Sequence, residues 1–254
     1  MAVLGMSVPA VAGDLDIAGP AYKAPSPVPA PFFTWGGFYA GGTLGGHWGR
    51  DEVSTVTDVG FLAGANLIDT VSGVTLSAHG FAGGLDAGYN FAGIGGVWGI
   101  EVDVTWLGGS TSRTLTGIAG LPAADALTNT SQSNFLSTYR MRWGVPYDRA
   151  LFFVSGGFAL ANLKTTDTFA QVGLPVQSVS TSTTLPGLAA GFGVDYAITP
   201  NWWIRGEYLF VHLKNQVNTI PATLGNADDI AVTHEYTDNI FRFALNYRFG
   251  SIGP

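Results

Sequence analysis

Four histidines, His47, His79, His212 and His234, and one closely spaced acid pair, Glu101 and Asp103, are the residues best equipped for chemistry. Imidazole is the common side-chain base, metal ligand and haem ligand. A nucleophilic site needs a hydroxyl beside that base and a carboxylate orienting it. No histidine stands in a His-x-Ser neighbourhood, and all four fall near the ends of β-like segments or between them. Their spacing does not form a metal cage, and the absence of cysteine removes thiolate ligands and disulfides alike. Placed near one rim, His79 and His234 are the pair that could hold a haem. Glu101 and Asp103 lie two apart, hence on one face of a strand, where acid–base work is conceivable. With arginines opposite, both would stay ionised, which suits architecture better than proton transfer. Gly-rich runs such as GGTLGG lack the strand–loop–helix context of a phosphate loop.

The remaining charges make the stronger pattern. On a single strand parity fall Asp86, Glu101, Asp103, Asp195 and Glu207, together with Arg140, Arg142, Arg205, Arg242 and Arg248. That is five acids against five bases, and every base is arginine. The three lysines, Lys23, Lys164 and Lys214, avoid the strand centres. Small residues such as Gly84, Gly88, Gly144, Gly191, Gly193 and Ala244 share the charged parity. Isolated buried charges cost several kcal/mol each, so an interior made of them must be paired. Arginine suits that use through its rigid five-donor fork. The expected partners are Glu101 and Asp103 with Arg140 and Arg142, Glu207 with Arg242 and Arg248, and Asp195 with Arg205. The opposite parity carries Trp98, Trp106, Tyr139, Trp143, Phe192, Trp202, Tyr208, Phe241, Phe243, Tyr247 and Phe249, with aliphatic residues between them. Aromatics at segment ends match the two interfacial girdles of a membrane barrel.

The elements that must position these residues are eight period-2 segments, about 35–48, 77–91, 96–107, 134–146, 150–163, 185–197, 202–213 and 235–249. Three gaps are short and built of turn formers: Ala92–Gly95, Tyr147–Arg149 and Ile198–Asn201. Four are long and rich in Ser, Thr, Asp and Gly: about 49–76, 108–133, 164–184 and 214–234. Short and long gaps alternate strictly. The pattern predicts an all-β fold, an eight-stranded antiparallel up-and-down transmembrane β-barrel with the charged parity inside and the aromatic parity in lipid. A soluble calyx would reverse the two faces. The long loops carry Asp51, Glu52, Asp58, Asp69, Asp125, Asp167, Asp228 and Asp229 against Arg50, Arg113, Lys164 and Lys214, an acidic excess.

Composition agrees. Only 11% of the 254 residues are charged and 13% are aromatic, with 36 glycines and a net charge of −7. Soluble domains carry about 25% charged residues. The acidic balance excludes a nucleic-acid partner. No apolar run reaches the ~18–20 residues of a membrane helix. Ala10-Val11-Ala12 follows a short apolar stretch and has the form of a signal-peptidase site, although no basic residue precedes it. The expected organisation is therefore a signal peptide over 1–12, a Pro-rich periplasmic linker over 13–34, the barrel over 35–249 and a C-terminal extension over 250–254.

TWGGFYAGGTLGGHWG at 34–49, GIEVDVTWLG at 99–108, WIRGEYLFVHL at 203–213 and IFRFALNYRF at 240–249 resemble small outer-membrane barrels of alphaproteobacteria, of opacity-protein-like or outer-membrane-protein-A-like architecture. That resemblance implies a Gram-negative outer-membrane location, a periplasmic N-terminus and extracellular long loops. It also implies a structural or surface role without catalysis or cofactor. A narrow porin-like channel and a loop-mediated receptor or adhesin, including a haem binder, are the alternatives within the family. Implied partners are outer-membrane lipid, lipopolysaccharide and the barrel-assembly machinery, with a peptidoglycan or host-surface ligand left open.

Overall fold

The computed structural model describes residues 33–57, 74–116, 126–170, 172–173, 175–220 and 230–250. Residues 1–32 and 251–254 lie outside these, and with them the expected signal peptide, nearly all of the expected Pro-rich linker and most of the expected C-terminal extension. Ten strands run in chain order: β1 (Gly37–Thr57), β2 (Val74–Gly93), β3 (Gly96–Leu107), β4 (Ser110–Thr116), β5 (Ala126–Tyr147), β6 (Ala150–Ala170), β7 (Gln177–Ala197), β8 (Trp202–Leu213), β9 (Gln216–Ile220) and β10 (Ile230–Arg248). Eight of them form an antiparallel ring, β1-β2-β3-β5-β6-β7-β8-β10, and β10 closes on β1 from Tyr39↔Arg248 to Thr57↔Ile230. A closed ring leaves no backbone edge unpaired where no water can reach it. Strands β4 and β9 continue β3 and β8 beyond single breaks and pair only with β5 and β10.

Tight turns join the strands at one end. Ile94 and Gly95 turn between β2 and β3, and Gly95 has φ 96°, a value open to glycine. Asp148 has φ 51° in the β5–β6 turn, one of the few residue types that tolerate it. The Thr199 hydroxyl accepts from the Trp202 amide at 3.1 Å in the β7–β8 turn.

At the other end the strands are longer than the sequence pattern suggests. Residues 50–57, 126–133, 164–170 and 177–184 are strand rather than loop. A 21-residue strand such as β1, tilted by about 40°, rises roughly 50 Å, near twice the ~25 Å apolar band of a membrane barrel. The outward faces show where that band stops. Along β1, Phe38, Leu44 and Trp48 give way to Arg50, Glu52 and Ser54. Along β10, Phe249, Leu245, Phe243 and Phe241 give way to Asn239, Thr237 and Glu235.

Beyond the band the ring divides. Pairing of β2 with β3 ends at Ala82↔Leu107, and pairing of β7 with β8 ends at Gly187↔Leu213. Two four-stranded leaves continue outward, β2-β1-β10-β9 and β4-β5-β6-β7.

Candidate functional site in the barrel interior

The interior is layered, and alternation assigns each layer its residues. At the short-turn end, Trp35, Tyr39, Val97, Leu151, Ala197 and Trp203 are buried together, with Phe33 packed on them. The rings of Phe33 and Trp35 lie 4.5 Å apart, and those of Tyr39 and Trp203 5.2 Å apart. Chain preceding the first strand thus reaches into the mouth. Arg248 belongs here: it donates to the carbonyl and hydroxyl of Thr34, and its guanidinium lies over the Phe33 ring at 5.6 Å. The expected pairing of Arg248 with Glu207 does not form. Arg248 is opposite Tyr39, six residues along β10 from Arg242, roughly 20 Å at strand spacing.

The next layer is ionic. Arg140 reaches Glu101 at 2.6 Å, Asp103 at 3.0 Å, and Glu207. Arg142 reaches Asp195 at 2.5 Å and Glu101 at 3.4 Å. Arg205 meets Asp195 at 2.7 Å, Glu101 at 2.6 Å and Asp86 at 3.3 Å. Arg242 meets Asp103 at 2.9 Å and Glu207 at 2.8 Å. These nine residues come from β2, β3, β5, β7, β8 and β10, and all are buried. Neutral groups complete the shell. Tyr39 donates to Glu101 at 2.5 Å, and Thr138 donates to Asp103. Oriented by its surroundings, the Asn246 amide donates to Asp86 at 3.0 Å. Gly88 makes room for this: a Cβ there would stand 2.5 Å from the Tyr39 hydroxyl. The layer holds four guanidiniums against five carboxylates, because Arg248 is engaged elsewhere.

An apolar belt follows, with Leu107, Leu136, Leu163, Leu209, Val211 and Ile240 at its centre. His47, opposite Ile240, stands beside this belt and His234 lies beyond it; the sequence pattern put both at strand ends or in loops. His47 turns Nδ1 to Asp238 at 3.1 Å and Nε2 to the Gly108 carbonyl at 2.8 Å. His234 turns Nδ1 to Asp51 at 2.9 Å and Nε2 to Asp167 at 3.2 Å. Asp167 also accepts from Asn129 at 2.7 Å and from Asn218 at 2.8 Å, and Asn218 donates to Thr165 at 2.8 Å. Asp51, His234, Gln216 and Asn218 stand on one leaf; Asn129, Thr165 and Asp167 stand on the other. Their contacts clasp the two leaves together. This clasp lies beyond the apolar band, since the outward neighbours of His234 are Thr233 and Glu235. Burial alone would lower the His234 pKa, but hydrogen bonds to Asp167 and Asp51 override it and hold it at about 9. Burial works to raise Asp167, and bonds from His234, Asn218 and Asn129 reverse that and hold it below the usual carboxylate range.

None of this arms a nucleophile. In both histidines each ring nitrogen faces a carboxylate or a carbonyl, and neither activates a hydroxyl. His79 is exposed on the outward face and His234 is buried inside, so the two do not form the haem-binding pair considered from sequence. No group of three or more metal-binding side chains is arranged for an ion among the described residues. Of the acids and bases assigned to the long loops, Asp51 and Asp167 turn inward, while Arg50, Glu52 and Lys164 point outward from strands. Asp58, Asp69, Asp125, Asp228 and Asp229 lie outside the described residues.

The outward face carries the aromatic residues. Trp98, Trp106, Tyr139, Trp143, Phe192, Trp202, Phe241, Phe243 and Phe249 are all exposed. Tyr208 and Tyr247 are half-buried against neighbours, Phe192 at 5.4 Å and Trp202 at 4.9 Å between ring centres.

Comparison with known proteins agrees with this architecture. Two relatives, each described as a 31 kDa outer-membrane immunogenic protein, from Brucella melitensis biotype 1 and Brucella suis biovar 1, are 28% identical over 248 residues, covering 94% of this chain and 93% of theirs. The crystal structure of the outer membrane protein OprG from Pseudomonas aeruginosa matches with a TM-score of 0.50 at 14% identity, over 85% of this chain and 97% of that one. Residues 27–249 match the family described as the outer membrane protein beta-barrel domain, and the chain belongs to that family.

Proposed function

We propose that this outer-membrane protein is a structural and surface component of the envelope whose lumen is closed to solutes and performs no catalysis. The observation that carries the reading is the layering. Buried Arg–carboxylate pairs link six of the eight ring strands, with an aromatic layer on one side and an apolar belt on the other, and in this reading they plug the lumen. A hydrated ion would have to displace paired charges and then cross two unwetted layers. In this reading the tight turns and the N-terminal segment are periplasmic, and the two leaves stand outside the cell. That the Brucella relatives are described as immunogenic supports display at the surface.

Planar-bilayer recording of the refolded chain tests the closed lumen. The expected trace is flat at moderate voltage. Steady, reproducible single-channel steps would replace this reading with a narrow porin-like channel.

A further inference from the structure

We propose that a groove on the outward face, where β1, β2, β8 and β10 pass from apolar to polar side chains, binds the phosphorylated headgroup of an outer-leaflet lipid. The groove has a volume of about 460 Å³. Trp48 and Phe210 supply apolar surface, Arg50 supplies a cation and His79 an imidazole, and Thr237 and Asn239, which donate to the backbone carbonyls of Arg50 and Trp48, supply neutral polar groups.

Register places these groups together. Trp48 is directly opposite His79 and Asn239, and Arg50 is directly opposite Ser77 and Thr237. Asn239 in turn faces Phe210. The floor is fixed: Tyr208 donates to the side-chain Oδ1 of Asn239 at 2.5 Å, and the Trp48 and Tyr208 rings lie 6.3 Å apart. Arg50 is exposed and makes no ion pair among the described residues.

The level chooses the ligand. Trp48 on β1, Phe81 on β2 and Phe210 on β8 are the last apolar outward side chains before the polar extension. Two residues further out on each strand stand Arg50, His79 and His212. Arg50 and His212, both opposite Thr237, and His79, opposite Trp48, therefore gather at the edge of the hydrocarbon on one side of a chain whose net charge is −7. An amphiphile with acyl chains against Trp48 and Phe210 would bring its phosphate to that level. A guanidinium fork matches phosphate geometry, and an aromatic ring suits the boundary below it. The outward acids Glu52 and Glu235 pair one row further out and line a separate hollow.

The proposal rests on the orientation proposed above only for which leaflet supplies the lipid. Binding can be read in detergent, where orientation plays no part, so failure of one is distinguishable from failure of the other. The test is native mass spectrometry of the full refolded chain titrated with a diphosphorylated lipid A. Parallel arms use the dephosphorylated glycolipid and inorganic phosphate as competitor. The expected result is a one-to-one adduct that weakens about tenfold in the Arg50→Gln/His79→Gln double variant. Arg50→Lys should retain part of the binding, and Arg113→Gln, on the other leaf, should retain all of it. Heat-modifiable gel migration verifies that each variant is folded. Equal binding by the double variant, or by the dephosphorylated glycolipid, would overturn the proposal. Displacement of the adduct by millimolar phosphate would reassign the groove to a free anion and overturn it too.

Discussion

At the residue scale the ionic layer is uneven, and its unevenness is testable. Glu101 is held by Arg140, Arg142, Arg205 and Tyr39, whereas Asp86 has one guanidinium contact at 3.3 Å and the Asn246 amide. Removing one member of a buried charge network leaves the others uncompensated, which costs about 3–5 kcal/mol. Glu101→Gln should therefore destabilise the folded barrel by about that amount, since three arginines lose a shared acceptor. Asp86→Asn relieves an excess negative charge and should stay within about 1 kcal/mol of the parent, because a satisfied neutral pair can replace a weak ionic one. Urea unfolding in lipid vesicles checks both. Equal losses at the two positions would mean that the layer is not organised around Glu101. Parity alone placed all ten charged residues inside, and nine of them share the network. It could not reveal that Arg248 stands at the mouth, because position along a strand axis does not change parity.

At the scale of elements, the sequence announced the eight strand cores and the short turns but not the outer half of most strands. Residues 126–133 and 164–170 are rich in Thr, Ser, Asn and Asp, types that turns and solvated loops favour. Thr nevertheless has strong β propensity, and the alternation of Leu127, Asn129 and Ser131 against Thr128 and Thr130 is visible in retrospect. What hid it is a polar interior, which gives both faces of the strand similar chemistry. The same cause hid the clasp, since His234, Asp51 and Asp167 come together only through the register of β1, β6 and β10. The clasp titrates. His234 has a folded-state pKa of about 9, above its ordinary value of about 6.5. Its contribution is complete below about 6.5 and lost as pH rises through 9. Asp167 is shifted down, so its contribution is present above the ordinary carboxylate range and lost only as pH falls well below it. Amide exchange in residues 126–133, 164–170 and 230–236, corrected for intrinsic rate, should accelerate above pH 9. His234→Gln should show the faster exchange already at pH 7. In both cases amides of the apolar band should be unchanged; acceleration spread evenly over the ring would exclude a local clasp.

At the scale of the whole molecule, everything depends on closure of β10 against β1, and small residues permit it. A Cβ on Gly45 would fall 2.1 Å from the Phe241 carbonyl oxygen and 2.9 Å from the Arg242 Cβ, inside the ionic layer. A Cβ on Gly42, on the outward parity of the same strand, would meet nothing nearer than the Gly84 carbonyl oxygen at 3.9 Å. Overpacking a filled interior costs about 1–3 kcal/mol or more, whereas a side chain added toward lipid displaces only hydrocarbon. Gly45→Val would force β1 away from β10 at the point where Arg242 must reach Asp103 and Glu207. It therefore attacks ring closure and charge pairing together. A closed barrel resists detergent until heated, so the unboiled parent should run at a different apparent mass from the boiled one. Gly42→Val should keep that shift, and Gly45→Val should lose most of it or require a lower temperature to abolish it. If both variants kept the parent's shift and transition temperature, the β1–β10 seam would not be the tight, inward-packed closure that the layered lumen requires.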